Sequence, residues 1–373
     1  MKIAMIGHKR IPSREGGVEI VVEELAERMI KLGHQVDVYN RQGHHISGSE
    51  NDAVRTKWYK GARIITIPTF QNKLLNALVY SFLATARAIF CSYDVIHFHA
   101  SGPCAMIWLP KLFKIRTVAT LHGIDSKRAK WGGVASKYLK FGEKMAVNAS
   151  DHLIVLSESN KKYIYDTYGR NANFIPNGVN PPVIRTADII KNLYSLDKDE
   201  YILYLGRIVP EKGIHYLINA YKKITTDKKL VVAGGTSHTD SYVREVKELA
   251  KEDSRIIFTG FVQGTVLEEL FSNAYVYVLP SDIEGMPISL LEAMSFGNCC
   301  LVSDISENSE VVEDKALTFS SGDAESLKER LQQLISDSAI TEAYKKNAAD
   351  FILRKYRWDN VVEKTLKLYE NSV

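Results

Sequence analysis

The chain has 373 residues, 45% of them hydrophobic and 25% charged. That balance excludes a disordered chain, a collagen-like repeat and a disulfide-stapled miniprotein, and the length exceeds what one growing core uses, so two domains are expected. The net charge of +4 hides an asymmetry: residues 1–180 hold 25 Lys and Arg against 14 Asp and Glu, or +11, and the remainder carries −7.

Short β-branched or apolar runs at 2–6, 35–39, 63–67, 94–98, 116–121, 151–156 and 173–175 predict strands in the first half. Between the first two, Val18, Val21, Leu25, Met29 and Leu32 recur at helical spacing, and Gly33 follows as a stop. The pattern breaks near 177–199, where Pro176, Gly178, Pro181 and Pro182 cluster and charge follows. It restarts with strands at 201–205, 229–233, 255–259, 274–279 and 299–303, and helices around 214–225, 240–251, 266–271 and 287–296. The last 50 residues read as helices. Largely apolar strands alternating with helices imply parallel sheets covered on both faces. The reading is two doubly wound α/β domains, 1–180 and 181–356.

In such sheets ligands bind beyond the carboxyl ends of the strands. The loop after the first strand, 7–17, ends in Gly16-Gly17 at a helix start, where backbone amides and the helix dipole favour an anion. An ordinary glycine turn is the plain alternative. It is not a dinucleotide fingerprint, and none occurs elsewhere. After 201–205 comes Gly206-Arg207, then Glu211-Lys212-Gly213 before a helix, where two cations and backbone amides could neutralise a diphosphate. The loop Ser281-Asp282-Ile283-Glu284-Gly285-Met286-Pro287 leads into a helix with Pro287 suited to its first position. Glu292 follows in a mostly apolar stretch, so its charge needs a partner or a polar ligand.

The segment from Glu284 to Glu292, with Gly285 and Ala293-Met294, resembles the E-x7-E element of family 4 retaining glycosyltransferases. Arg207 with Lys212 resembles that family's donor-phosphate loop, 175–179 its interdomain segment, Gly16-Gly17 its N-terminal glycine loop, and Thr120-Leu121-His122-Gly123 the place of a histidine near the sugar. The motifs keep the family's order over nearly the whole chain. The resemblance implies a GT-B fold of two Rossmann-like domains facing a cleft, with the final helix, about 357–373, packed back on the first domain. It implies that Arg207 and Lys212 hold the donor diphosphate and act catalytically with Glu284 and His122. Glu292 would bind ribose hydroxyls, Glu284, Gly285, Met286 and Pro287 would contact the sugar, and Phe261 and Val262 would pack the base. No metal and no cofactor is implied, the nucleotide sugar being a substrate.

The sequence departs from the family at 304–312, where a glycine-rich segment is usual, and at Met286-Pro287, where many members have an aromatic residue and glycine. Donor identity therefore does not transfer. The opening 10–17 is similar to a bacterial branch that builds capsule and exopolysaccharide units and includes rhamnosyltransferases. The expected function is transfer of a hexosyl or deoxyhexosyl group to a saccharide acceptor carried on a polyprenyl diphosphate. An epimerase or hydrolase on the same fold, or a catalytically silent subunit, are the alternatives.

Other signals are weaker. No apolar run reaches the roughly 18 residues of a membrane span, and the N-terminus shows no leader-type apolar region, so a cytoplasmic protein is expected. The basic first half, densest over 111–144, suggests an anionic partner, with a solvated face as the equal alternative. No nucleic-acid motif accompanies it. Peripheral contact with anionic membrane is one expectation, helped by the amphipathic 72–91 segment, although that pattern is read first as an ordinary core helix. His97 and His99 share a strand face as a metal pair could, but without a third ligand they read as packed or cleft-lining. His44-His45 support nothing. Asp197-Lys198-Asp199 reads as solvated charge, and Cys91, Cys104, Cys299 and Cys300 as small buried hydrophobes.

Overall fold

A computed structural model of the chain describes residues 1–42, 56–69, 73–124, 133–235 and 240–370; His44 and His45 lie outside them. The chain divides into two compact units, Met1–Asn177 with Trp358–Val373, and Gly178–Arg357.

The first unit is built on β1 (Lys2–Ile6), β2 (Gln35–Arg41), β3 (Trp58–Tyr59), β4 (Ala62–Ile67), β5 (Val95–His99), β6 (Arg116–Leu121), β7 (His152–Val155) and β8 (Asn173–Phe174). They pair in the order β3-β4-β2-β1-β5-β6-β7-β8, all parallel except β3 with β4. Ile3 lies between Val36 and Val95 in register. Buried residues run through both faces of β1 and β5 because helices cover the sheet on both sides. The helix Gly17–Lys31 buries Val21, Val22, Leu25, Ala26 and Met29, and the chain turns away at Gly33 with φ +87°. The helix Trp358–Glu370 packs against it and buries Trp358, Val362, Leu366 and Tyr369.

The second unit holds β9 (Tyr201–Leu205), β10 (Lys229–Ala233), β11 (Ile256–Gly260), β12 (Val276–Leu279), β13 (Cys299–Ser303) and β14 (Leu317–Phe319), a fully parallel sheet in the order β11-β10-β9-β12-β13-β14. Tyr204, Tyr221, Leu230, Val278 and Leu301 belong to one core with the helices Ile214–Tyr221 and Ala324–Ser336. The strand order reverses at β9, whose successor β10 lies on one side and β12 on the other, and at β1, between β2 and β5. Such reversals open a crevice at the carboxyl ends of the strands.

Three features differ from expectation. Strands β3 and β14, of two and three residues, fall below what a periodicity can signal. Pro287 is the N-cap residue, with extended ψ of 109°, and the helix runs Ile288–Ser295. The helix Lys73–Ile89 turns much of its apolar stripe outward: Leu78, Phe82 and Leu83 are exposed, as is Phe90 just beyond it, while Tyr80, Ser81, Ala84 and Thr85 are buried. It is not an ordinary core helix. Asp197 and Asp199 are solvated charge as expected, in partly exposed pairs with Lys191 at 2.5 Å and Lys345 at 2.7 Å. Of the cysteines, Cys104, Cys299 and Cys300 are buried and Cys91 half-buried, and all four are free thiols.

Candidate active site

In the second unit three loops leave the carboxyl ends of neighbouring strands β10, β9 and β12 and touch through glycine. A Cβ on Gly213, whose φ is +65°, would lie 1.9 Å from the Pro280 carbonyl oxygen, and one on Gly234 would lie 1.8 Å from that of Gly206. Only hydrogen fits at either contact. The Asp282 amide donates to the Glu211 carbonyl at 3.0 Å, fastening the loop after β12 to the one after β9.

This fastening sets Lys212 against Glu284. The ammonium and the carboxylate form a salt bridge, with side-chain exposures of only 13% and 7%. Ser281 Oγ donates to the same carboxylate oxygen, Glu284 Oε1, at 2.6 Å. The Ser281 carbonyl in turn accepts from Ser303 Oγ, and Asn308 Nδ2 donates to Ser303 Oγ at 3.0 Å. A chain of buried polar groups thus reaches from the helix Ser306–Val312 through the end of β13 to Glu284 and fixes its position. Burial lifts the Asp282 carboxyl above the usual carboxylate range.

Arg207 follows Gly206 at the end of β9. Its carbonyl accepts from the Tyr204 phenol at 2.9 Å, and its guanidinium makes no ion pair among the described residues. One cation held by a carboxylate and one left without one is an arrangement suited to an incoming anion. The Ile288–Ser295 helix begins just beyond Glu284, and the first amides of a helix have no acceptor within it. Glu292 lies half-buried on that helix. Tyr277 donates to Ser289 Oγ at 2.9 Å, which ties the helix to β12; burial keeps this phenol protonated. Gly285, Met286 and Pro287 are buried between Glu284 and the helix. Phe261 and Val262 follow β11, two strands from β9, with Phe261 exposed and its Cβ 3.5 Å from where a Gly235 Cβ would lie.

Gly16, Gly17 and His122 lie in the first unit. Gly16 caps the Gly17–Lys31 helix, and the Glu19 carboxylate fills the space beside it, accepting from the Lys9 amide at 2.8 Å. His8, His99 and His122 stand at the carboxyl ends of adjacent strands β1, β5 and β6. His122 Nε2 meets His99 Nδ1 at 3.1 Å, and His8 Nε2 meets Asn40 Oδ1 at 2.8 Å. His97 is consumed by Tyr369 OH at 2.6 Å and Thr120 Oγ1 at 2.7 Å, so it is a packed residue. Burial lowers His8 to about 4 and His97 to about 3, and pushes His99 well down. These rings are neutral near pH 7 and offer hydrogen bonds without charge. Gly7, with φ +131°, allows the approach: a Cβ there would lie 2.0 Å from the His99 carbonyl oxygen.

The structure therefore brings Arg207, Lys212, Glu284 and the start of the Glu292 helix to one end of one sheet, with Phe261 and Val262 just after its edge strand β11. Sequence reasoning missed Ser281, whose only signal was its position three residues before Glu284. It also missed Glu19, Asn40 and His8, whose partners are 10 to 32 residues away in the chain.

Known proteins match both halves. The family model described as Glycosyltransferase Family 4 matches residues 15–182, and that described as Glycosyl transferases group 1 matches 186–351. An uncharacterised glycosyltransferase of Methanocaldococcus jannaschii is 27% identical, covering 99% of this chain and 98% of its own. Among solved structures, sucrose-phosphate synthase of Thermosynechococcus elongatus is 23% identical with a TM-score of 0.84, covering 99% of this chain and 98% of its own. The Anabaena protein HepE, in complex with UDP and glucose, is 16% identical with a TM-score of 0.81 and coverage of 98% on both sides. Two parallel-sheet units, each with its own matching model, make this chain a glycosyltransferase of the GT-B fold, with a family 4 domain followed by a group 1 domain.

Proposed function

We propose that the chain is a retaining, metal-independent glycosyltransferase that takes a hexosyl or deoxyhexosyl group from a nucleotide-diphosphate sugar bound by its second unit. The observation that carries this reading is the buried Lys212–Glu284–Ser281 contact beside an Arg207 that has no carboxylate partner among the described residues. A diphosphate would supply the negative charge that Arg207 lacks and share the Lys212 ammonium with Glu284. As the bond from the anomeric carbon to the donor phosphate breaks, charge grows on the departing oxygen, and Arg207 and Lys212 stabilise it, the task a metal ion performs in other sites. Retention follows if the acceptor oxygen bonds the anomeric carbon on the face that the phosphate leaves, while the acceptor proton passes to a phosphate oxygen. No protein nucleophile is then needed. Glu284, fixed by Ser281, would hold sugar hydroxyls, Glu292 the ribose, and Phe261 with Val262 the base. His122 and the Gly16-Gly17 region of the first unit would serve the sugar and acceptor side.

The acceptor is a saccharide on a polyprenyl diphosphate at the inner face of the membrane, in bacterial surface polysaccharide synthesis, with rhamnosyl transfer the specific candidate. This part is supported by the similarity of residues 10–17 to that branch. The reading is tested by thermal shift with UDP, GDP, ADP and dTDP, each with and without EDTA. A ligand that binds only the native state raises the melting temperature. One nucleotide should stabilise the protein regardless of EDTA, and Lys212→Ala should abolish that shift. No shift with any nucleotide, or one abolished by EDTA, would refute the reading.

A further inference from the structure

Three helices of the first unit share an unusual outer surface. Lys73–Ile89 carries Leu78, Phe82 and Leu83 outward and is followed by Phe90, with exposures of 49% for Phe82 and 82% for Phe90. Its buried face meanwhile holds Ser81 and Thr85, whose hydroxyls donate back to the helix's own carbonyls of Ala77 and Ser81. A soluble helix normally places its polar residues outside. This one has part of its pattern reversed, and solvent is the wrong neighbour for that outer stripe.

The neighbouring short helix Trp108–Leu112 adds exposed Trp108 and Leu112, with Phe113 just after it; Phe113 and Phe90 meet edge-to-face at 6.5 Å. The helix Gly133–Ala149 packs beside it and presents Lys137, Lys140, Phe141 and Lys144 outward. Those three lysines, with Phe141 and Tyr168, line an open hollow of about 500 Å³. Within the described side chains of the three helices the only carboxylate is Glu143, which is fully buried and accepts from Tyr163 and Tyr168. Lys111 is partly neutralised by Asp151, whereas Lys114 beside it is exposed.

We propose that this face is a membrane-docking surface for an anionic bilayer, with Phe82, Phe90, Leu112 and Phe113 entering the interfacial layer and Lys137, Lys140 and Lys144 holding lipid phosphates. Aromatic and aliphatic side chains among lysines, with no exposed carboxylate among the described side chains of the three helices, match the chemistry of that interface. A solvated basic face has no use for the apolar stripe, and a dry protein partner has no use for the unpaired lysines. The docking stands apart from the donor assignment, because it concerns partition to lipid and not turnover.

Cosedimentation of the full chain with large vesicles of phosphatidylglycerol and phosphatidylcholine, 30:70, against pure phosphatidylcholine tests it. Binding to the anionic vesicles should weaken as salt rises from 0.05 to 0.5 M. Phe82→Ser with Phe90→Ser and Phe113→Ser should abolish it while leaving the melting temperature near that of the wild type, since all three side chains are exposed. Lys137→Glu with Lys140→Glu and Lys144→Glu should lower the partition coefficient at least a hundredfold. Equal binding to neutral vesicles, or unchanged binding in either variant, overturns the proposal. So does a dimer in light scattering that the serine variant dissociates, if the wild type ignores lipid, because a second copy would then be what covers the stripe.

Discussion

Lys212 and Glu284 bear on stability and on chemistry at once, and variants can separate the two. Each is nearly buried, so removing one partner strips the other of its opposite charge in this pair at low dielectric. Lys212→Met and Glu284→Gln should each destabilise the protein by about 3 kcal/mol. The double variant replaces both charges and should recover most of that loss, because a buried pair is worth little relative to neutral groups of similar shape. Transfer activity should be absent from Lys212→Met and from the double variant alike if Lys212 holds the diphosphate as proposed. Unfolding in urea with a turnover assay checks both halves; a double variant as unstable as the sum of the singles would show that the pair is not one unit. Ser281→Ala is the milder change. It removes one hydrogen bond to the carboxylate, worth about 1.5–3 kcal/mol when the acceptor is charged. Turnover should fall more than nucleotide affinity, because Glu284 loses its fixed orientation and not its charge.

At the scale of elements, the glycine contacts hold the site together. Gly213→Ala would force its Cβ to 1.9 Å from the Pro280 carbonyl at a φ of +65°, so the loop carrying Ser281 and Glu284 must move. Gly297→Ala is the matched control: its φ is +77°, but its nearest neighbour outside the turn is 3.8 Å away. The control should cost about 1 kcal/mol, the left-handed penalty alone, and keep nucleotide binding. Gly213→Ala should cost clearly more and lose the nucleotide-induced thermal shift. Equal costs in the two variants would mean that the approach of Gly213 to Pro280 does not constrain the loop. These elements also show what a sequence carries. Runs such as Tyr201–Leu205 and Cys299–Ser303 announce strands because fully covered parallel strands need apolar residues on both faces. Residues placed directly after such strands, among them Arg207, Lys212 and Glu284, could be named in advance because strand ends are where parallel sheets bind ligands. Ser281 as the partner of Glu284 was not legible, since any serine before a carboxylate looks the same until the loop closes. The outward stripe of Lys73–Ile89 was hidden for a different reason. Periodicity gives the spacing of an apolar face, and only the packing of Tyr80, Ala84 and Ala88 on the core says which face points inward.

For the whole molecule, the two units should respond differently to acid. His8, His97 and His99 are buried and neutral in the first unit, held there by desolvation. An unfolded histidine takes its proton near pH 6.5, whereas His8 in the fold resists until about 4. Between those values the unfolded chain binds more protons, so stability present at neutral pH is lost as the pH falls. His8 alone withdraws about 3 kcal/mol over that window, and His97, lowered to about 3, continues the loss further down. In the second unit His215 is also lowered by burial, but it is only half-buried and pairs with Tyr242 at 2.8 Å, so its share should be smaller. The tryptophans offer a way to watch one unit: among the described residues Trp58, Trp108 and Trp358 all fall in the first. Chemical unfolding followed by tryptophan fluorescence should therefore show a midpoint that drops steeply from pH 6.5 to 4, ahead of the far-ultraviolet circular dichroism signal that sums both units. His8→Gln should flatten that drop. The nucleotide-induced stabilisation, which the proposed reading assigns to the other unit, should persist at pH 5. A fluorescence midpoint that falls as steeply in His8→Gln as in the wild type would remove His8 from the account and leave the acid response to other groups.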